Sequence, residues 1–262
     1  MDPFIEKKFY TYDIPYQEHF SGYFESVFIG WFPFFKIASS SANTKGIKKS
    51  KEILLEEARS LDPIYNKIQA TDSVIYFHNK DYPGNSEILA HGQEISWNEI
   101  KVKAGFNNYS EIYKALRTSI GSYSKAFAQP ELEGKLEAFL ENKNIWQPGE
   151  GSFDPLTLKK IYHSFKGLGK SNIIIEDEFF QTKKEINLDL ITIEEFMLEI
   201  QGQYYYLYDR NKSLLFVAEW DSFFFLICSS AEIVRNIIPH SGFEGFYADS
   251  TTMHGWEHTC MY

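Results

Sequence analysis

The strongest constraint on the fold lies in three apolar runs near the C-terminal end: Tyr204-Tyr205-Tyr206-Leu207-Tyr208, Leu214-Leu215-Phe216-Val217-Ala218 and Phe223-Phe224-Phe225-Leu226-Ile227-Cys228. Each has the length and the aromatic and aliphatic content of a strand. The first two are joined by Asp209-Arg210-Asn211-Lys212-Ser213, and the third follows a turn at Asp221-Ser222. Connections this short cannot carry a parallel crossover, which needs a dozen or more residues. The runs therefore favour an antiparallel meander over a doubly wound sheet.

Helical periodicity dominates elsewhere. Ile53, Leu54, Ala58 and Leu61 recur at three- and four-residue steps, the spacing of one helix face. Lys48, Lys49 and Lys51 before them read as a solvated helix start, and Asp62-Pro63 as the cap of a second helix. Ser96 and Asn108 each stand three residues before Glu, Pro130 and Asp154-Pro155 open further helices, and Thr192 and Ser230 cap two more. Val74-Ile75-Tyr76-Phe77, Ile173-Ile174-Ile175 and Gly245-Phe246-Tyr247-Ala248 are short strand candidates. Gln147-Pro148-Gly149-Glu150-Gly151-Ser152 is the best boundary. The expected architecture is α+β: a mostly helical N-terminal part, 1–147, with an irregular aromatic-rich start, and a C-terminal domain, 148–262, with an antiparallel sheet (a meander) plus helices.

Charge narrows the partners. The chain of 262 residues carries 26 Lys and Arg against 36 Asp and Glu, net −10. Residues 1–147 are net −2 and residues 148–262 net −8. Nucleic acid and anionic lipid demand a concentrated basic surface, so both are disfavoured. Aromatics reach 17% of the chain, enough for an aromatic core or for a contact surface. Two cysteines, Cys228 and Cys260, make no disulfide framework. The start lacks the basic and apolar regions of a signal peptide. The longest greasy stretch, residues 27–35, falls well short of the ~20 residues of a membrane span. A cytoplasmic protein is the expectation.

Several motifs invite chemistry. Residues 96–116 place a capped helix, Gly105 and a second helix in the order of a helix-turn-helix, and resemble that unit of bacterial transcription regulators. Its second helix would offer Asn107, Asn108, Tyr109, Glu111, Lys114 and Arg117 outward, a thinly basic set for phosphate. His254-Gly255-Trp256-Glu257-His258 is formally H-x-x-E-H; on a helix its two histidines share a face and could hold zinc or another divalent ion, with Asp249 as a third ligand. No other cofactor is indicated. Ser122-Tyr123-Ser124-Lys125 matches S-x-x-K but lacks the S-D-N and K-T-G partners that motif requires, and Gly167-Leu168-Gly169-Lys170-Ser171 is half a P-loop, with Ser164 where the first glycine belongs.

The run from Leu214 through Trp220-Asp221-Ser222 to Cys228, then Phe243-Glu244-Gly245-Phe246-Tyr247-Ala248-Asp249 and the His254 to His258 tail, resembles a family of uncharacterised proteins from Gram-positive bacteria known only as a domain of unknown function. The resemblance implies a cytosolic bacterial protein and assigns no catalytic residue. The strand pair with its W-D-S corner is also similar to small immunity proteins that neutralise toxins. Charge and aromatics together suggest a non-catalytic, immunity-like or regulatory module. Its acidic face, Glu219, Trp220, Asp221, Asp249, Trp256 and Glu257, would engage a basic protein partner. The alternatives are a metal-dependent hydrolase built on the C-terminal His/Glu/Asp cluster with His254 and His258 as ligands, and a helix-turn-helix DNA-binding regulator.

Overall fold

The computed structural model describes residues 13–38, 49–61, 66–67, 73–78, 82–177, 179–200, 205–218 and 222–259. In chain order the elements are α1 (Tyr16–His19), β1 (Ser26–Trp31), β2 (Phe34–Ile37), β3 (Lys49–Leu54), α2 (Leu55–Leu61), β4 (Ser73–His78), α3 (Asn85–His91), β5 (Gly92–Ile95), α4 (Trp97–Ala104), α5 (Tyr109–Ser119), α6 (Pro130–Lys143), α7 (Pro155–Gly167), β6 (Asn172–Glu176), β7 (Lys183–Asn187), α8 (Ile193–Ile200), β8 (Tyr206–Asp209), β9 (Leu214–Ala218), β10 (Phe224–Ser229), α9 (Ala231–Ser241), β11 (Gly245–Tyr247) and α10 (Trp256–Thr259). The fold is α+β. Seven strands form one sheet in the order β11-β1-β10-β9-β8-β6-β7, every neighbouring pair antiparallel. The pairs β2–β5 and β3–β4 form two small sheets. Among the described residues no helix is long and apolar enough to cross a membrane.

The expected meander is β8-β9-β10. Its strands read as unbroken apolar runs because both faces of the sheet are covered. Alternate side chains of a strand point to opposite faces. On one face Val27, Ile29, Trp31, Leu215, Val217, Phe224 and Leu226 meet Ile100, Ile112, Tyr113, Leu116, Leu136 and Leu140 from α4, α5 and α6. On the other, Phe28, Leu214, Phe216, Phe225 and Ile227 meet Leu158, Ile161 and Phe165 of α7, Phe196 and Met197 of α8, and Val234 and Ile237 of α9. Residue 147, the expected boundary, is thus where the chain passes from one helical layer to the other. The segment there is packed: Gln147 is fully buried, and Trp146 exchanges backbone hydrogen bonds with Phe35 at 2.7 and 3.1 Å.

The N-terminal part also supplies a strand to the sheet. β1 lies between β10 and β11, with Gly30 opposite both Phe225 and Gly245. Gly30 has to be glycine for space, since a Cβ there would stand 2.5 Å from the Phe225 ring. Local chemistry sets the helix starts. The side chains of Ser96, Asn108, Asp154 and Ser230 accept from backbone N–H groups two or three residues on. Thr192 and Glu195 close a reciprocal capping box. α4 has a second cap that no local pattern foretells: the Glu244 carboxylate accepts from Trp97 N at 2.6 Å and Asn98 N at 2.9 Å.

Two elements differ from the periodicity. Residues 49–54, Ile53 and Leu54 included, form β3 and pair with β4, so the helix begins only at Leu55 and Lys49 and Lys51 sit on a strand. Lys48 and Asp62-Pro63 lie outside the described residues. β7, Lys-Lys-Glu-Ile-Asn, is an edge strand with three exposed polar residues and one buried apolar residue, Ile186, too little for an apolar pattern.

Asp154 combines a cap with a burial cost. Burial pushes its carboxyl up to about 6, against hydrogen bonds from Thr157 and Leu156 that favour the charged form. An unfolded Asp releases its proton near ~3.9, so this group favours the folded state increasingly as pH falls from about 6 to 4. Asn caps as well as Asp does. Asp154→Asn is therefore expected to keep the helix and to remove that gain, which urea unfolding at pH 7, 6, 5 and 4 would reveal as a variant that loses stability relative to the wild type as pH falls from about 6 to 4.

Candidate functional site

The unusual chemistry of the molecule gathers where α5 meets the C-terminal segment. Gly105 turns the chain with φ 77° between α4 and α5, the helical corner expected there, and one face of α5 is packed into the molecule. Ser110, Ile112, Tyr113, Ala115, Leu116 and Ser119 are all buried. Arg117, expected outward, is half-buried and donates from Nε to Ser122 Oγ at 2.6 Å, with its guanidinium over the Tyr123 ring.

The C-terminal segment reaches this place by being pinned at several points. Ala248 N donates to Val27 O at 2.9 Å, and Tyr16 N donates to Thr252 O at 2.9 Å. The side chain of Asp249 accepts from Thr251 and Thr252 and so closes its own turn. Trp256 then enters the core at 0% exposure, its ring 4.9 Å from Tyr113 and 5.0 Å from Phe246. The next side chain, Glu257, is 3% exposed and accepts from Tyr123 Oη at 2.6 Å. His258 lies at the rim, with Nε2 3.5 Å from the same Glu257 oxygen and its ring against Phe127.

Electrostatics follow from this burial. Burial first, and Glu257 second, push both the Tyr113 and Tyr123 hydroxyls well above the usual tyrosine range. Burial alone would favour loss of the Arg117 proton, but Tyr113, Glu257 and Tyr123 hold the guanidinium charged. Burial, with Arg117 nearby, lowers His254 to about 4, so it is neutral at pH 7. Among the described residues, Tyr113 Oη, Ser222 Oγ and Glu257 Oε2 are buried without a hydrogen-bond partner. The Tyr113 hydroxyl lies beside Ser222 and Arg117 but closes no hydrogen bond of ordinary geometry with either. The cluster thus offers one carboxylate acceptor, two hydroxyls and a fixed cation.

Of the residues expected to form a site, Glu219, Trp220 and Asp221 lie outside the described residues. Asp249 is exposed but engaged within its turn. Trp256 and Glu257 point inward rather than onto an acidic face. His254 and His258 do not sit one helical turn apart, because α10 begins only at Trp256. Among the described residues no three His, Cys, Asp or Glu side chains are placed to share a metal ion. Tyr113, Arg117, Tyr123 and Ser222 were missed. Arg117 and Tyr123 had appeared only in motifs of other chemistries, and nothing in their spacing joins them to residue 257.

A family model described as "Protein of unknown function (DUF2711)" matches residues 12–258. The chain belongs to this family. The match takes in both helical layers and the C-terminal segment, so the DUF2711 unit is the whole architecture rather than its last strands. The uncharacterised protein YwbB of Bacillus subtilis (strain 168) is 21% identical over 175 residues, covering 67% of this chain and 77% of its own length. No solved structure matches.

Proposed function

We propose that this protein binds a small, neutral molecule bearing hydroxyl or amide groups, held between α5, Ser222 and the C-terminal segment. The observation that supports the reading is the convergence of Tyr113 Oη, Ser222 Oγ and Glu257 Oε2, all buried and without a partner among the described residues. A buried polar atom left unsatisfied costs about 1–3 kcal/mol, so three in one region favour an occupant that satisfies them. A carboxylate oxygen accepts, while hydroxyls donate or accept; the occupant therefore needs at least one donor. Arg117 and Glu257 offset each other, so it needs no net charge.

A basic protein partner on the acidic C-terminal part draws less support. Glu176, Asp189 and Asp209 already pair with Lys183, Lys166 and Lys170 at 3.4, 3.0 and 2.9 Å, and Glu185 and Glu199 with Arg210 and Lys184. Of the six residues of that reading, Trp256 and Glu257 are buried, Asp249 is engaged in its own turn, and Glu219, Trp220 and Asp221 lie outside the described residues.

Untagged protein, denatured and extracted for mass analysis, is expected to release one small polar compound per chain. The compound should be lost in the Tyr113→Phe/Ser222→Ala double variant with the circular dichroism unchanged. An empty extract, together with a crystal structure placing only water against the three atoms, overturns the reading.

A further inference from the structure

On the opposite face of the sheet, α7 and α9 diverge to leave an open cleft of about 550 Å³. It is separate from the Tyr113 cluster, which belongs to the layer of α4, α5 and α6. Its volume falls in the range of small-molecule sites, about 300–1,000 Å³. The two helices are joined inside it by the Ser164 and Ser241 hydroxyls at 2.7 Å. Leu156, Leu168 and Ile237 supply an apolar lining. Lys159, Lys160, His163 and His240 also line it, with Glu94 as the carboxylate among its lining residues.

That concentration of basic groups runs against the charge of the chain, whose residues 148–262 are net −8. Lys160, Lys166, Lys170, Lys183, Lys184 and Arg210 each face a carboxylate. Lys159 is exposed, lines the cleft and has no carboxylate partner among the described residues. Lys160 is held in place beside it, donating to Glu94 Oε2 at 2.5 Å and to Gly242 O at 2.7 Å. His240 donates from Nδ1 to Asn236 O at 2.7 Å, which fixes its ring and leaves Nε2 as the other nitrogen.

We propose that this cleft binds an amphipathic organic anion, a carboxylate on an aliphatic body. The body would lie on Leu156, Leu168 and Ile237, and the carboxylate would be met by Lys159 and His163, with His240, whose Nδ1 proton is held by Asn236 O, bordering it. An apolar surface alone would accept any greasy body, and the Lys159 ammonium alone would accept any small anion; their adjacency selects a molecule with both.

The test is calorimetric titration of the full chain with octanoate below its micelle concentration, beside octan-1-ol, acetate and inorganic phosphate. Octanoate is expected to bind one per chain and to shift the imidazole resonances of His163 and His240. The other three probes should bind at least about tenfold more weakly, a difference of ~1.4 kcal/mol. Lys159→Ala and the His163→Ala/His240→Ala pair change exposed helix positions and should keep the fold. Each is expected to weaken octanoate by about tenfold or more, a loss that salt reproduces. Octanol or phosphate binding as tightly as octanoate, or octanoate binding that is absent or indifferent to these variants, overturns the proposal. None of these residues belongs to the Tyr113 cluster, so the outcome is independent of what that cluster holds.

Discussion

Trp256→Ala is expected to cost about 3–5 kcal/mol of stability, the range for truncating a buried large aromatic. The Trp256 ring is fully buried between Tyr113, Phe246 and Trp31, at centroid distances of 4.9, 5.0 and 6.3 Å. Removal opens a cavity against α5 and the sheet together. It also loosens the seat of Glu257, whose hydrogen bond to Tyr123 would lose its fixed geometry. Urea unfolding should show a lower midpoint with an unchanged slope, and limited proteolysis should clip the C-terminal segment first. Trp256→Phe, which keeps part of the ring, is expected to lose less. A Trp256→Ala variant within 1 kcal/mol of wild type, as surface changes usually are, would mean that this residue does not hold the segment in the core.

Asp209→Ala is the second large effect expected, at about 3–5 kcal/mol, the cost of breaking a buried ion pair from one side. The carboxylate ends β8 at 3% exposure. It accepts from Ser213 N and Leu214 N at 2.8 Å each, from Ser213 Oγ and from Lys170 Nζ at 2.9 Å. These groups form the turn that joins β8 to β9, so truncation leaves two backbone donors and a poorly exposed ammonium unpaired in the middle of the sheet. Burial alone would raise the Asp209 carboxyl, but Lys170 and the turn donors outweigh it and hold it below the usual carboxylate range. Its stabilisation is therefore present above the unfolded value of ~3.9 and is lost as pH falls through the lowered folded value. Asp209→Asn should be clearly less stable than wild type at pH 7, and the gap between them should close in strong acid. A gap that stays constant with pH would assign the effect to the turn hydrogen bonds rather than to the charge.

What could be read in advance divides along physical lines. The helix starts at Ser96, Asn108, Asp154, Thr192 and Ser230 were legible because a capping side chain acts within three residues of itself. β8, β9 and β10 were legible because strands buried on both faces must be apolar throughout. β3 was misassigned because Ile53 and Leu54 continue the three- and four-residue spacing of Ala58 and Leu61, whereas the pairing of residues 49–54 with β4 is decided between chain segments. β7 was invisible because an edge strand is held by one neighbour's backbone and here buries a single apolar side chain, Ile186, too few to show a period.

The candidate site was legible only in fragments. Glu257 and His258 stood out by type, but as groups on an exposed tail; their partners Tyr123 and Arg117 lie more than 130 residues earlier, and no local spacing links them. By itself the sequence determined the α+β class, the meander and the capped helices, because each follows from interactions that close over a few residues or from the burial an apolar run demands. Only the tertiary structure decided that β1 crosses into the C-terminal sheet, that Trp256 is core, and that an arginine, two tyrosines, a serine and a glutamate share one buried region. Those outcomes come from side chains packing across long loops, where complementary shape and the removal of water, rather than any periodic pattern, select the neighbours.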